Sequence, residues 1–177
     1  MAAAFHAVWP MTRCVKTIII AACAAFGLLA AALLIGVVLL VRPVKISGGA
    51  MEPRLCEGDL IFIIKAVGEV RREDIVTFYF PRDRSVSYIK RVVALPGETV
   101  EVRSGKVLIN DQPLDEPYVT SHLNIAIMDM PATLVPKHNY FVMGDNRDNS
   151  FDSRYWGTVP RELIYGRLLG RYWAASK

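Results

Sequence analysis

Two hydrophobicity patterns divide the chain. From Ile18 to Val41 it reads IIIAACAAFGLLAAALLIGVVLLV, 24 residues without a charge. As a helix rising 1.5 Å per residue, this run is about 36 Å long, enough to cross a hydrocarbon core of about 30 Å with some tilt. A cleavable leader also starts with basic residues, here Arg13 and Lys16, but its apolar stretch is typically about 7 to 15 residues. The run therefore reads as a retained transmembrane anchor, residues 18–41, preceded by an N-terminal tail, residues 1–17.

After Arg42 the pattern changes to short segments rich in Val, Ile, Phe and Tyr, many of them alternating with polar residues. DLIFIIKA (59–66), DIVTFYF (74–80), VSYIKRVVAL (86–95), NYFVMGD (139–145) and LIYGRLLGRYW (163–173) each have strand composition. In ETVEVRSGKVLIN (98–110), Ser104-Gly105 separates two alternating arms, as a hairpin requires. Pro and Gly punctuate the junctions, and no extended helical period follows the anchor. The fold class predicted is mostly β: a compact antiparallel, barrel-like sheet domain over 42–177, behind one N-terminal membrane helix. The stretch from Leu114 to His138 is the least regular and is expected to be a loop or small flap.

Composition adds limits. The chain of 177 residues has mean hydropathy +0.28, and the excess apolarity sits in the anchor. The net charge of +4 is too evenly spread to ask for nucleic acid as a partner. Basic residues flank both ends of the anchor (Arg13 and Lys16, then Arg42 and Lys45), so flanking charge does not orient it. Of the three cysteines, Cys14 and Cys23 belong to the anchor region and Cys56 stands alone after it, so no internal disulfide is expected in the β domain. His6, His122 and His138 are scattered, with no companion at ligand spacing, and no metal site is predicted.

Three stretches are more polar and turn-rich than a β core needs. The first is SGGAMEPRL, Ser47 to Leu55, a Gly-rich turn that holds up Ala50. The second is YIKRVVALPGE, Tyr88 to Glu98, where Lys90 and Arg91 are adjacent inside an apolar strand, so that one of them faces the core side. An inward lysine loses solvation and is pushed toward the neutral amine, a general base. The alternative is Lys90 in solvent and Arg91 buried in an ion pair; the pattern leaves both open. The third, GDNRDNSFDSRYWGTVP, Gly144 to Pro160, packs Asp145, Arg147, Asp148, Asp152 and Arg154 among small polar residues. It reads either as a charged hairpin connection, with Ser150 a turn residue, or as a polar network. Together the stretches carry the parts of a nucleophile and lysine dyad except the hydroxyl.

In this order the three stretches resemble the type I signal peptidases, membrane-anchored Ser/Lys proteases. The family's Ser-Met-x-Pro is matched by AMEP, with Ala50 where the nucleophilic serine belongs. Its Lys-Arg followed by Leu-Pro-Gly-Asp is matched with Glu98 in the acidic place, and its Gly-Asp-Asn-Arg with Ser-x-Asp-Ser-Arg is matched fully by Gly144 to Arg154. The resemblance implies that Lys90 is the general base, that Ser150 orients it, and that Arg91, Asp145, Asp152 and Arg154 brace the site. It further implies that Met51, Leu55, Tyr88, Ile89 and Val142 line shallow pockets for small residues. The N–H of residue 50 is expected in the oxyanion hole. Gly48 stands where some members have a second, side-chain donor, and the short interval between Gly97 and Gly144 makes this a minimal form.

The activity so implied is removal of signal peptides from exported preproteins, without a cofactor. The protein is expected to be single-pass in the plasma (inner) membrane, with its β domain on the extracytoplasmic face and the lipid bilayer and signal peptides as partners. Ala50 has no proton to lose, and neither Ser47 nor Cys56 projects from the same point of the turn, so this sequence is expected to be inactive. Ala50 is read as an engineered serine-to-alanine change, since the rest of the site is intact. The alternative is a natural pseudoprotease that binds signal peptides without cutting them.

Overall fold

The computed structural model describes residues 13–65, 67–126 and 128–175. The chain divides into two compact units, one ending at Leu39 and one beginning at Leu40. Of the expected tail, residues 1–12, with His6, lie outside the described residues.

The described residues of the first unit belong to one helix, α1, Arg13–Leu40, whose stretch Val15–Leu40 is long and apolar enough to cross a membrane. Its large apolar side chains are exposed, as suits a helix whose solvent is lipid. The helix starts before the apolar run, within what was expected to be tail, because Arg13 to Thr17 contains no residue that breaks a helix. It stops at Leu40, one residue short of the expected end. Val41 already pairs with Ile64 in a sheet, and Pro43 cannot continue a helix.

The second unit is the antiparallel β domain that the alternating segments predict. Its larger sheet has the strand order β1-β2-β11-β3-β4-β9-β10 and its smaller sheet β7-β6-β5-β8, with every pairing antiparallel. In chain order the strands are β1 (Val41–Lys45), β2 (Leu60–Ile64), β3 (Ile75–Phe80), β4 (Asp83–Ala94), β5 (Thr99–Arg103) and β6 (Lys106–Ile109). They continue with β7 (Gln112–Pro113), β8 (Met130–Leu134), β9 (Asn139–Met143), β10 (Val159–Pro160) and β11 (Ile164–Trp173).

Three apolar clusters hold the unit together. Val76, Phe78, Val92, Tyr140 and Val142 pack with Trp156 on one side of the larger sheet. Val93, Phe141 and Met143, the neighbours in the alternation, point the other way and meet Val100, Val102, Val107 and Ile109 of the smaller sheet. Ile46, Met51, Leu55, Ile61, Ile63 and Ile75 form the third cluster, directly beneath the Gly-rich turn.

Four strands were not apparent in the sequence. β1, β7, β8 and β10 contain Pro43, Pro113, Pro131 and Pro160, and all four lie at a sheet edge, where a missing donor costs no ladder bond. β8 falls inside the stretch expected to be irregular and pairs with β5. Four of its five residues are exposed, so it carries no alternation to read.

Candidate active site

The Gly-rich turn is anchored from both ends. The Ile46 N–H donates to the Asp59 carbonyl (2.8 Å) and the Gly58 N–H to that of Ile46 (2.9 Å). Met51 and Leu55 are buried, which leaves Ala50 half-buried at the top of the turn. Gly48 has φ +81°, a left-handed conformation that glycine adopts without a Cβ penalty. The Ala50 carbonyl accepts from the Asn146 N–H at 3.1 Å, tying the first stretch to the third.

β4 brings in the second stretch, and it buries both members of the Lys90-Arg91 pair, on opposite faces. Arg91 forms a two-pronged ion pair with Asp145, Nε to Oδ1 at 2.7 Å and Nη2 to Oδ2 at 2.5 Å. Its Nη1 donates to the Glu73 carbonyl at 2.9 Å, and its guanidinium lies 4.0 Å from the centroid of the Tyr118 ring. Lys90 is 4% exposed, and its side-chain amine makes no hydrogen bond among the described residues. Its Nζ sits 5.3 Å from the Tyr88 ring centroid. Burial pushes its pKa down to about 8 from the ordinary 10.5; nearby Arg154 acts in the same direction, and Asp152 and Asp145 act against it.

The third stretch is a polar network built from local caps. Asn146 Oδ1 accepts from the Asn149 N–H (3.1 Å) to close a single 3₁₀ turn, and Asp152 caps the one-turn helix α2 (Ser153–Trp156) by accepting from the Arg154 N–H at 3.2 Å. Asp152 also accepts from the Gly144 N–H (3.0 Å) and from Arg154 Nε (2.9 Å). Gly144 is required by contact: a Cβ there would collide with Ser150 Oγ and lie 2.5 Å from the Ala50 carbonyl oxygen. Ser150 is 7% exposed, and its Oγ makes no hydrogen bond, so the expected link from Ser150 to Lys90 is not formed in this structure.

A cavity of about 160 Å³ collects Ala50, Met51, Tyr88, Ile89 and Lys90. Two residues expected on its walls lie elsewhere. Val142 is fully buried in the core with Val76 and Phe78, and Leu55 borders a larger cleft of about 630 Å³ with Arg54, Glu73, Arg91 and Arg171. The remaining walls come from Ser47 and Gly48 of the turn and from Val44, Lys45, Ile46, Thr77, Ser87 and Tyr165, which no sequence signal marked. Val44 on β1 and Ile46 just beyond it alternate, a signal that Pro43 obscured. Glu116, Tyr118 and Arg147 also belong to the network. Arg147 stood in the third stretch, but nothing periodic marked the other two.

The chain thus combines an antiparallel β domain carrying this cavity with a helix of membrane-spanning length, and its relatives are peptidases. The chain belongs to the signal peptidase family, peptidase S26, whose model matches residues 11–173. It is 38% identical over 143 residues to the signal peptidase I of Leptolyngbya laminosa, covering 75% of this chain and 68% of that one. It is 39% identical over 146 residues to the probable signal peptidase I-1 of Synechocystis sp., covering 77% and 73%. Against thylakoidal processing peptidase 1, chloroplastic, of Arabidopsis thaliana, the identity is 38% over 151 residues, covering 78% of this chain and 44% of the relative. The crystal structure of a signal peptidase I from Enterococcus faecalis is similar, with TM-score 0.50 and 36% identity, covering 58% of this chain and 99% of that one.

Proposed function

We propose that this chain is a signal peptidase I of the plasma membrane, with its β domain on the extracytoplasmic face, and that Ala50 disables it. Its substrates are the signal peptides of exported preproteins, cut after small residues. The observation that carries this reading is Lys90: a buried amine whose pKa is lowered to about 8, on the same small cavity as the position where the family has its serine.

With serine at position 50, the neutral Lys90 amine takes the hydroxyl proton as the oxygen attacks the scissile carbonyl. The lysine then protonates the departing amine of the mature chain, leaving an acyl-enzyme. Water, deprotonated by the same lysine, releases the signal peptide. The N–H of residue 50 donates to the oxyanion. A methyl group at this position removes the attacking atom, a loss on the order of 10⁶ in rate, and leaves the cavity walls intact.

Ala50→Ser in the full chain is expected to restore cleavage after a small-x-small sequence, with kcat/KM rising with pH and levelling above about pH 8. Adding Lys90→Ala is expected to abolish it; cleavage that persists without Lys90 removes the lysine from the mechanism. The Ala50 chain binds signal peptides without cutting them, and an alanine codon at position 50 of the gene would make that binding its natural role.

A further inference from the structure

We propose that the turn Glu116-Pro117-Tyr118 is a positioning strap that holds the lysine and the Gly144–Ser150 loop in working register; this rests on Lys90 being the base. The segment leaves the smaller sheet at Leu114, whose N–H donates to the Val107 carbonyl at 2.9 Å. Two residues on, the Glu116 carboxylate takes both ends of a guanidinium, Arg147 Nη2 at 2.5 Å and Nη1 at 3.0 Å. The Tyr118 hydroxyl donates to the same carboxylate at 3.0 Å, and its ring covers the Arg91 guanidinium. One turn thus grips two arginines from separate stretches, Arg91 next to Lys90 and Arg147 three residues before Ser150.

The grip reaches the site through the backbone. Arg147 Nε donates to the Gly144 carbonyl at 3.0 Å, and Arg154 Nη2 donates to the Arg147 carbonyl at 2.8 Å. These bonds set the path of the loop that holds the Ala50 carbonyl through Asn146 and carries Ser150.

Charge completes the case. Each arginine here has its own carboxylate: Arg91 with Asp145, Arg154 with Asp152, and Arg147 with Glu116. The charges that bear on Lys90 are Asp152, Arg154 and Asp145, and the Lys90 amine alone in this cluster has no paired anion. Neutralising Glu116 leaves Arg147 buried without its partner. Arg147, which Asp152 also attracts, then adds an uncompensated positive charge to the cluster. Every part of that change favours the neutral lysine.

Glu116→Gln in the Ala50→Ser chain tests this, because it keeps shape and removes charge. The expected result is a kcat at least about tenfold lower with KM nearly unchanged, since the cavity walls contain none of the strap residues, and a pH inflection displaced to the acid side. Glu116→Asp, which keeps the charge, is expected to recover part of the loss and return the inflection. A loss of activity that only follows loss of folded protein, with the inflection unmoved, overturns the proposal, as does an unchanged kcat.

A second measurement needs no cleavage. In the Ala50 chain, the pH dependence of Lys90 acetylation by acetic anhydride, read by mass spectrometry, is expected to shift to lower pH with Glu116→Gln; no shift overturns the strap. If Ala50→Ser alone fails to cleave, the functional reading falls, and this labelling still decides the strap.

Discussion

Lys90 is costly to the folded protein, and Lys90→Met measures how costly. The side chain is buried, and its pKa falls from 10.5 to about 8 on folding. Because the folded value lies below the unfolded one, the unfolded chain binds more protons between those two pH values, so stability rises with pH across that window. Below about pH 8 the full penalty applies, about 3 kcal/mol at roughly 1.4 kcal/mol per pKa unit. Methionine is of similar length and carries no charge to desolvate. In the Ala50 chain in detergent, Lys90→Met is therefore expected to raise the unfolding free energy by up to about 3 kcal/mol at pH 7, with the gain fading as pH approaches 10.5. Urea unfolding of both proteins at several pH values, followed by tryptophan fluorescence, gives the difference directly. Other titrating groups cancel in that difference. Equal stability at pH 7, or a difference that does not change with pH, would show that Lys90 is solvated and would remove the physical basis for a neutral amine near pH 8.

Two further substitutions probe the frame around the lysine. Gly144→Ala is expected to destabilise the domain by roughly 1–3 kcal/mol or more, because the new methyl meets Ser150 Oγ and the Ala50 carbonyl; a neutral thermal unfolding midpoint would refute the contact between the first and third stretches. Asp145→Ala leaves Arg91 buried with only the Glu73 carbonyl and the Tyr118 ring for company, at an expected cost of about 3–5 kcal/mol. Adding Arg91→Leu should recover much of that loss, which urea unfolding of the single and double variants measures.

What could be read along the chain was what repeats or clusters locally. The uncharged run marked the helix that becomes α1, and alternation marked β2, β3, β4, β9 and β11 to within a few residues. The Ser104-Gly105 turn marked the hairpin of β5 and β6. The three polar stretches stood out because turns, caps and paired charges are local chemistry, and Lys90, Arg91, Asp145 and Asp152 were all named from them. Edge strands with proline were missed, since their exposed residues carry no period.

Tertiary structure decided the rest. Whether Lys90 or Arg91 would be buried could not be settled by counting, because alternation assigns opposite faces but not which faces are covered. Here both are covered: Arg91 meets Asp145 on one side, and Lys90 borders the cavity on the other. Val44, Thr77 and Tyr165 share that cavity because β1, β3 and β11 lie in one sheet, an outcome of long-range register. Glu116 and Tyr118 reach the site from a segment without periodicity, and their partners Arg147 and Arg91 lie 31 and 27 positions away in sequence. A sequence displays the spacing of neighbours along the chain; which distant charges come to share one desolvated space is set only when the sheets pack and exclude water between them.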